Sequence, residues 1–166
     1  MGELFTAEHI EYATSRPFQQ VTAAFEAATG DISDGRFERE LAASENLEDF
    51  ERRIHAFEAD SGFMRFLVLD HGAWSGLYGE PTKSRQYIVG NPLIARTMMK
   101  HDLGVGLNVP VRVLIYEPPG GGTRLGYDLP SSLMSRLNNT EVTAAARKLD
   151  TKLAALAEQV TGAKAS

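Results

Sequence analysis

The clearest alternation in the chain is Val111, Val113 and Ile115 in step against Arg112, Leu114 and Tyr116. That period of two predicts a strand with one aliphatic face and one mixed face. The stretch around it, Lys83 to Asp128, reads as a connected unit. Arg85 to Val89 forms a strand that Gly90 ends. Asn91 caps and Pro92 opens a helix from about Pro92 to His101 with Ile94, Met98 and Ala95 inward. PPGGG can only be a turn, and Thr123 to Asp128 closes a hairpin. Leu125 and Tyr127 share one side of that last strand, and they are expected to extend the Arg112, Leu114 and Tyr116 surface across the hairpin.

The flanking segments supply the cover. His9 to Thr14 alternates as a strand. Ser15 is expected to cap a helix with Pro17 in its first turn and a buried stripe of Phe18, Val21, Phe25 and Ala28, ended by Gly30. Asp31 to Ala43 stays open between a short helix and an ordered loop. Ser44 is expected to cap a further helix, acidic at its start and basic at its end, that buries Leu47, Phe50, Ile54 and Phe57. The run FMRFLVLDH, Phe63 to His71, is apolar enough to predict a central strand covered on both faces for most of its length. Gly72 to Pro81 reads as a long connection or irregular hairpin. The final helix, capped near Asn138, Asn139 or Thr140, buries Val142, Ala145, Leu149, Leu153, Leu156 and Val160 up to Gly162.

These elements predict an α+β fold in one domain spanning residues 1–166: an antiparallel sheet of about five strands with helices largely on one face. Residues 31–60 form a helical insertion too short to enclose a core of its own.

Composition narrows the function. The formal net charge of -5 argues against nucleic acid, whose nonspecific affinity comes from clustered Lys and Arg. With no cysteine there is no disulfide, thiolate nucleophile or zinc-thiolate site. The start, MGELFTAEHIEY, lacks a basic region followed by an apolar run, and no segment approaches eighteen consecutive apolar residues, so a cytoplasmic chain without a membrane span is expected.

From Asp70 to Pro130 the chain carries Asp70-His71 after a buried-looking strand, Pro81-Thr82 before the next, then Gly90-Asn91-Pro92, Val109-Pro110 and Tyr127-Asp128 followed by Leu129-Pro130. In this order the elements resemble the domain of unknown function 302 family. The first and last helices also fall where that family has them. Two departures stand out: the segment Asp31 to Asp60 is longer than the family connection, and Leu129 separates Asp128 from Pro130. The resemblance implies a TATA-binding-protein-like order of strand, helix, four strands and helix. It implies no known activity, and fold analogy to a DNA-binding protein carries little weight for an acidic chain.

Candidate chemistry is sparse. Asp70 and His71 are the acid–base candidates, since a carboxylate can fix an imidazole tautomer and tune its pKa. Adjacent strand residues point to opposite faces, which favours a structural or ligand-positioning role. His9, His55, His71 and His101 lack metal-ligand spacing. No metal or cofactor is proposed by the residues, and their pattern does not address a haem held by one histidine. Asn91-Pro92 could receive an anion, although capping alone explains both residues. The face bearing Arg112, Leu114 and Tyr116, with Tyr87 and Tyr127 as further ligand or interface residues, suits a subunit contact or a small-molecule site. The reading that follows is a homodimeric cytoplasmic module binding a small molecule or another protein. Its alternative is an enzyme using Asp70 and His71, marked by a cavity holding His71 with Tyr87, Arg112 or Tyr116.

Overall fold

A computed structural model describes residues 2–165. Strands β1 (His9–Thr14), β2 (Gly30–Asp31), β3 (Met64–Asp70), β4 (Ser84–Gly90), β5 (Val111–Tyr116) and β6 (Thr123–Asp128) form one sheet in the order β1-β6-β5-β4-β3-β2. All neighbours are antiparallel except β2 and β3, which run parallel. The fold is therefore α+β, with a six-stranded mixed sheet where five antiparallel strands were expected. The extra strand has two residues, too few to leave a periodic trace.

The helices are α1 (Phe18–Ala28), α2 (Arg36–Ala43), α3 (Leu47–His55), α4 (His71–Ser75), α5 (Pro92–Met99), α6 (Pro130–Met134) and α7 (Thr140–Thr161). Pro17, extended at φ -58° and ψ 149°, turns the chain into α1 with its own carbonyl, which accepts from Gln20 and Val21 N–H; Ser15 is not the cap. Asn46, not Ser44, caps α3 by accepting from the Asp49 N–H at 3.0 Å. Asn139 caps α7 through the Glu141 and Val142 N–H groups, and Gly162 ends it at φ 68°. The open segment Asp31 to Ala43 resolves into β2, a turn and α2. The Gly72–Pro81 connection contains α4 and a 3-10 turn at Gly76–Tyr78.

The main core lies between one sheet face and α1, α5 and α7, joining Phe25, Tyr87, Val113, Ile115, Leu125, Met98, Leu149 and Leu153. A smaller cluster sits at the β2 end, where Ile32, Ile54 and Met64 are buried against Phe37, Phe50, Phe57 and Phe66. Gly30 is obligatory at that seam, because a Cβ there would meet the Phe57 carbonyl at 1.6 Å. Within α3 the fully buried residue is Ile54; Leu47, expected on the buried face, is exposed.

Two expectations fail for reasons of neighbourhood. β2 pairs only with Met64 and Arg65, so β3 has a strand partner on one side alone from Phe66 onward. Leu67, Val68 and Leu69 are consequently 47%, 38% and 39% exposed, where the run predicted a covered central strand. Across the hairpin, Ile115 pairs with Leu125 and Leu114 with Gly126. That register puts Leu125 and Tyr127 on the core face, not on the Arg112 side, and Tyr127 lies buried with its ring stacked on Tyr12 at 6.3 Å.

Candidate functional site

A half-open apolar cleft of about 280 Å³ lies where the two cores meet. One wall is the end of β4, Val89 and Gly90, followed by Pro92, Ile94, Ala95 and Met98 of α5. A β-bulge between Arg65 and Leu67 re-aims Phe66 into the second wall, where it packs edge-on against Phe37 of α2 at 5.3 Å. Val109, Pro110 and Val111 close the mouth, and Leu149 of α7 forms the floor.

Asn91 is the only polar side chain on this wall, and its capacity is spent. Its Oδ1 accepts from the Leu93 N–H at 2.9 Å, while its Nδ2 donates to the Gly62 carbonyl at 2.9 Å and to the Glu58 carboxylate. The residue expected to touch a ligand therefore ties α5 to the segment after α3. The cleft offers an occupant apolar contact and little else.

A polar cluster sits under α1. Arg85 meets Glu26 at 3.0 Å and Asp70 at 3.1 Å, and the Tyr87 hydroxyl donates to Glu26 at 2.7 Å. Burial, then the Glu26 carboxylate, pushes the Tyr87 hydroxyl far above the ordinary phenol range. Asp70 also accepts from the Ala73 N–H at 2.9 Å, capping α4, and this bond, with Arg85, holds its carboxyl below the usual value. His71 faces away from that network, its Nδ1 accepting from the Trp74 indole N–H at 3.2 Å. Asp70 and His71 thus share no partner. Tyr87 lies on the core face, opposite Arg112 and Tyr116, and the cleft contains none of these residues.

The outer face of the sheet carries the remaining candidates. Arg112 is exposed, while Leu114 and Tyr116 are half-buried. Tyr116 donates to Glu11 at 2.8 Å, and Glu11 also meets Arg124 at 3.6 Å. That hydrogen bond to a carboxylate raises the Tyr116 pKa. Register adds Leu67, Leu69 and Ile88 to the same face: Leu67 pairs with Ile88, and Leu69 with Gln86, which pairs with Leu114. Among the described residues no group of three or more His, Asp or Glu side chains is gathered as a metal site.

Sequence reasoning missed Glu26, Arg85 and Phe66. The first two stand on a helix's polar flank and in a strand's alternation, where ordinary solvated residues also stand. The third is placed by a bulge that no local pattern announces.

An α+β chain with these Asp-His, Gly-Asn-Pro and Tyr-Asp elements belongs to a family defined by sequence and fold without an assigned activity. The family is DUF302, described as a domain of unknown function, whose model matches residues 39–160; the chain is a member of it. The crystal structure of an uncharacterized conserved DUF302 protein from Bacillus stearothermophilus superposes with a TM-score of 0.66 at 18% identity, covering 92% of this chain and 97% of that one. At that identity the likeness establishes the fold alone. No curated protein matches the sequence.

Proposed function

We propose that this chain is a noncatalytic binding module that holds a small, uncharged, apolar molecule in the cleft between Phe66 and α5. The observation that carries the reading is the cleft of about 280 Å³ whose single polar side chain, Asn91, is fully engaged in holding the fold. Apolar cavities of roughly 150 Å³ already take up benzene, so this volume suits a body of about two rings. Phe37 and Phe66, packed edge-on against each other, line it, and the thioether of Met98 can adapt to its shape.

The neutral dye N-phenyl-1-naphthylamine tests the proposal by its fluorescence gain in an apolar site. Saturable one-to-one binding by the wild type, lost in Ala95→Trp with unchanged far-ultraviolet circular dichroism, is the expected result. Equal binding by both proteins, or no saturable binding, overturns it.

The module is proposed to act as a homodimer through the outer sheet face. Leu67 and Ile88 pair there, and Leu69 and Leu114 flank Gln86 in the next row, so apolar side chains cluster on this face, and exposed clusters of this kind mark contact surfaces. Among the described residues no helix is long and apolar enough to cross a membrane. The acid–base alternative at Asp70 and His71 has less support, because Asp70 is spent on Ala73 and Arg85 and does not touch His71.

A further inference from the structure

The registered pairing of β5 with β6 covers only Leu114–Gly126, Ile115–Leu125 and Tyr116–Arg124, although β5 begins at Val111 and β6 runs to Asp128. Beyond the last registered pair a second cavity of about 570 Å³ opens, with Arg112 on one lip and Asp128 on the other. Phe5, Ile88, Leu107 and Leu133 supply its apolar walls, and Asn108 stands beside them. It lies across the Val109–Val111 segment from the first cleft and shares only that segment with it.

The charges around this cavity are unequally engaged. Asp128 is paired with His9 at 2.9 Å, and Glu11 with Arg124 and Tyr116. Arg112 is left with no ion pair or side-chain hydrogen bond among the described residues. Asn108 uses its Oδ1 to accept from Arg136 at 3.1 Å, which leaves its amide N–H groups as donors. One unpaired guanidinium fork, one amide donor and apolar walls match a carboxylate joined to an apolar body, because the fork can take both carboxylate oxygens at once. Asp128 on the facing lip opposes any ligand with a second negative charge, which selects against phosphate esters and dicarboxylates.

We infer that this second cavity is a binding site for a small organic monocarboxylate, held by Arg112 and Asn108 with its apolar part against Leu107, Leu133 and Phe5. The site is independent of the cleft beside α5.

Octanoate and its uncharged counterpart octanamide are the probes, titrated calorimetrically into the full chain at neutral pH. The expected result is octanoate binding roughly tenfold or more tighter than octanamide, with the gap shrinking as salt is raised. Arg112→Gln, at an exposed position where folding should be unaffected, erases the difference and leaves octanamide unchanged. Arg112→Lys keeps part of it, since an ammonium supplies charge without the fork. Ala95→Trp, which fills the first cleft, leaves octanoate binding intact, so failure of one site is distinguishable from failure of the other. Absence of octanoate binding, equal affinities for acid and amide, a difference that survives Arg112→Gln, or loss of octanoate in Ala95→Trp each overturns the assignment.

Discussion

The Tyr87 hydroxyl donates to the Glu26 carboxylate at 2.7 Å, joining β4 to α1 beneath the solvent-facing Arg85–Asp70 pair. Tyr87 itself is fully buried, so the bond satisfies a hydroxyl that water cannot reach. Tyr87→Phe removes donor and need together and is expected to cost about 1–2 kcal/mol in urea unfolding. Glu26→Ala strands the hydroxyl and should cost more, about 2–3 kcal/mol. Glu26→Gln retains an acceptor and loses only a half-exposed ion pair, so its cost should stay below about 1 kcal/mol. A Tyr87→Phe protein less stable than Glu26→Ala would show that deleting the hydroxyl costs more than stranding it, which this account of the bond does not allow. Because the Tyr87 pKa is raised in the fold, this stabilisation is complete below the ordinary phenol value and is lost as pH climbs toward the raised one.

Asn91 separates two kinds of hydrogen bond in one residue. Asn91→Ala loses the cap on α5 and both links to the segment after α3, and is expected to cost about 2–4 kcal/mol. Asn91→Asp keeps the capping acceptor but replaces the amide donor with a charge facing the Glu58 carboxylate and the Gly62 carbonyl. Its stability should fall below wild type at neutral pH and recover partly in acid as the carboxylates protonate. Denaturant midpoints at both pH values check this, and an Asn91→Asp protein as stable as wild type at neutral pH would remove the tie from the account.

The Arg53 side chain, then the Glu45 backbone N–H and Arg52, hold the Asp49 carboxyl down to about 2. With the folded value below the ordinary carboxylate value, the contribution is present above that ordinary pKa and is lost as pH falls toward the depressed one. Asp49→Asn should therefore lower the thermal midpoint at neutral pH and converge on wild type in strong acid. Parallel curves at every pH would show that the ion pairs Asp49 makes with Arg53 and Arg52 within α3 contribute nothing.

Much of the fold was legible because the faces of its strands differ. Val111, Val113 and Ile115 are buried and Arg112 is exposed, as the alternation requires, and Asn91-Pro92 opens α5 as its residue types require. The misreadings share a cause: burial of an apolar residue depends on what lies next to its strand. Leu67 and Leu69 read as core but stand where β2 has already ended, and Tyr127 takes its face from the Ile115–Leu125 register set across the Gly120–Gly122 turn. The cleft was invisible for a related reason. Phe37, Phe66, Ile94 and Val109 converge from separate parts of the chain, and each has an unremarkable neighbourhood in sequence.

Residues 31–60 pack with Met64 and Phe66 of β3 and Leu93 of α5 in one small cluster, which makes the coupling of this segment to the rest a measurable quantity. Ile54 is fully buried there, whereas Phe50 is only partly buried. Ile54→Ala should cost about 2–5 kcal/mol, and Phe50→Ala less than the 3–5 kcal/mol of a fully buried ring. Arg65 fastens this region to the main core by donating to the Glu26 and Thr29 carbonyls at the end of α1. Unfolding of Ile54→Ala should therefore stay a single transition, with amide exchange in α3 and α7 slowed to similar extents. An α3 that opens freely while α7 stays protected would make the insertion a separate unit.

The uncovered outer face is where the proposed dimer can be tested. Leu67 and Leu69 are substantially exposed, and the register sets Leu67 beside Ile88 and Leu69 beside Gln86 with Leu114 beyond it, so apolar residues recur on this face across β3, β4 and β5. Tyr116 is a poorer site for a disruptive charge than its place on this face suggests, because its hydroxyl already serves Glu11 and an aspartate there would oppose that carboxylate. Leu69→Lys with Leu114→Lys changes this face alone and leaves the core face of both strands untouched. The wild type is expected to sediment as a dimer and the double variant as a folded monomer, with the unpaired edge of β3 from Phe66 to Asp70 blunted by the added lysine. A wild type that sediments as a monomer at high concentration defeats the dimer proposal.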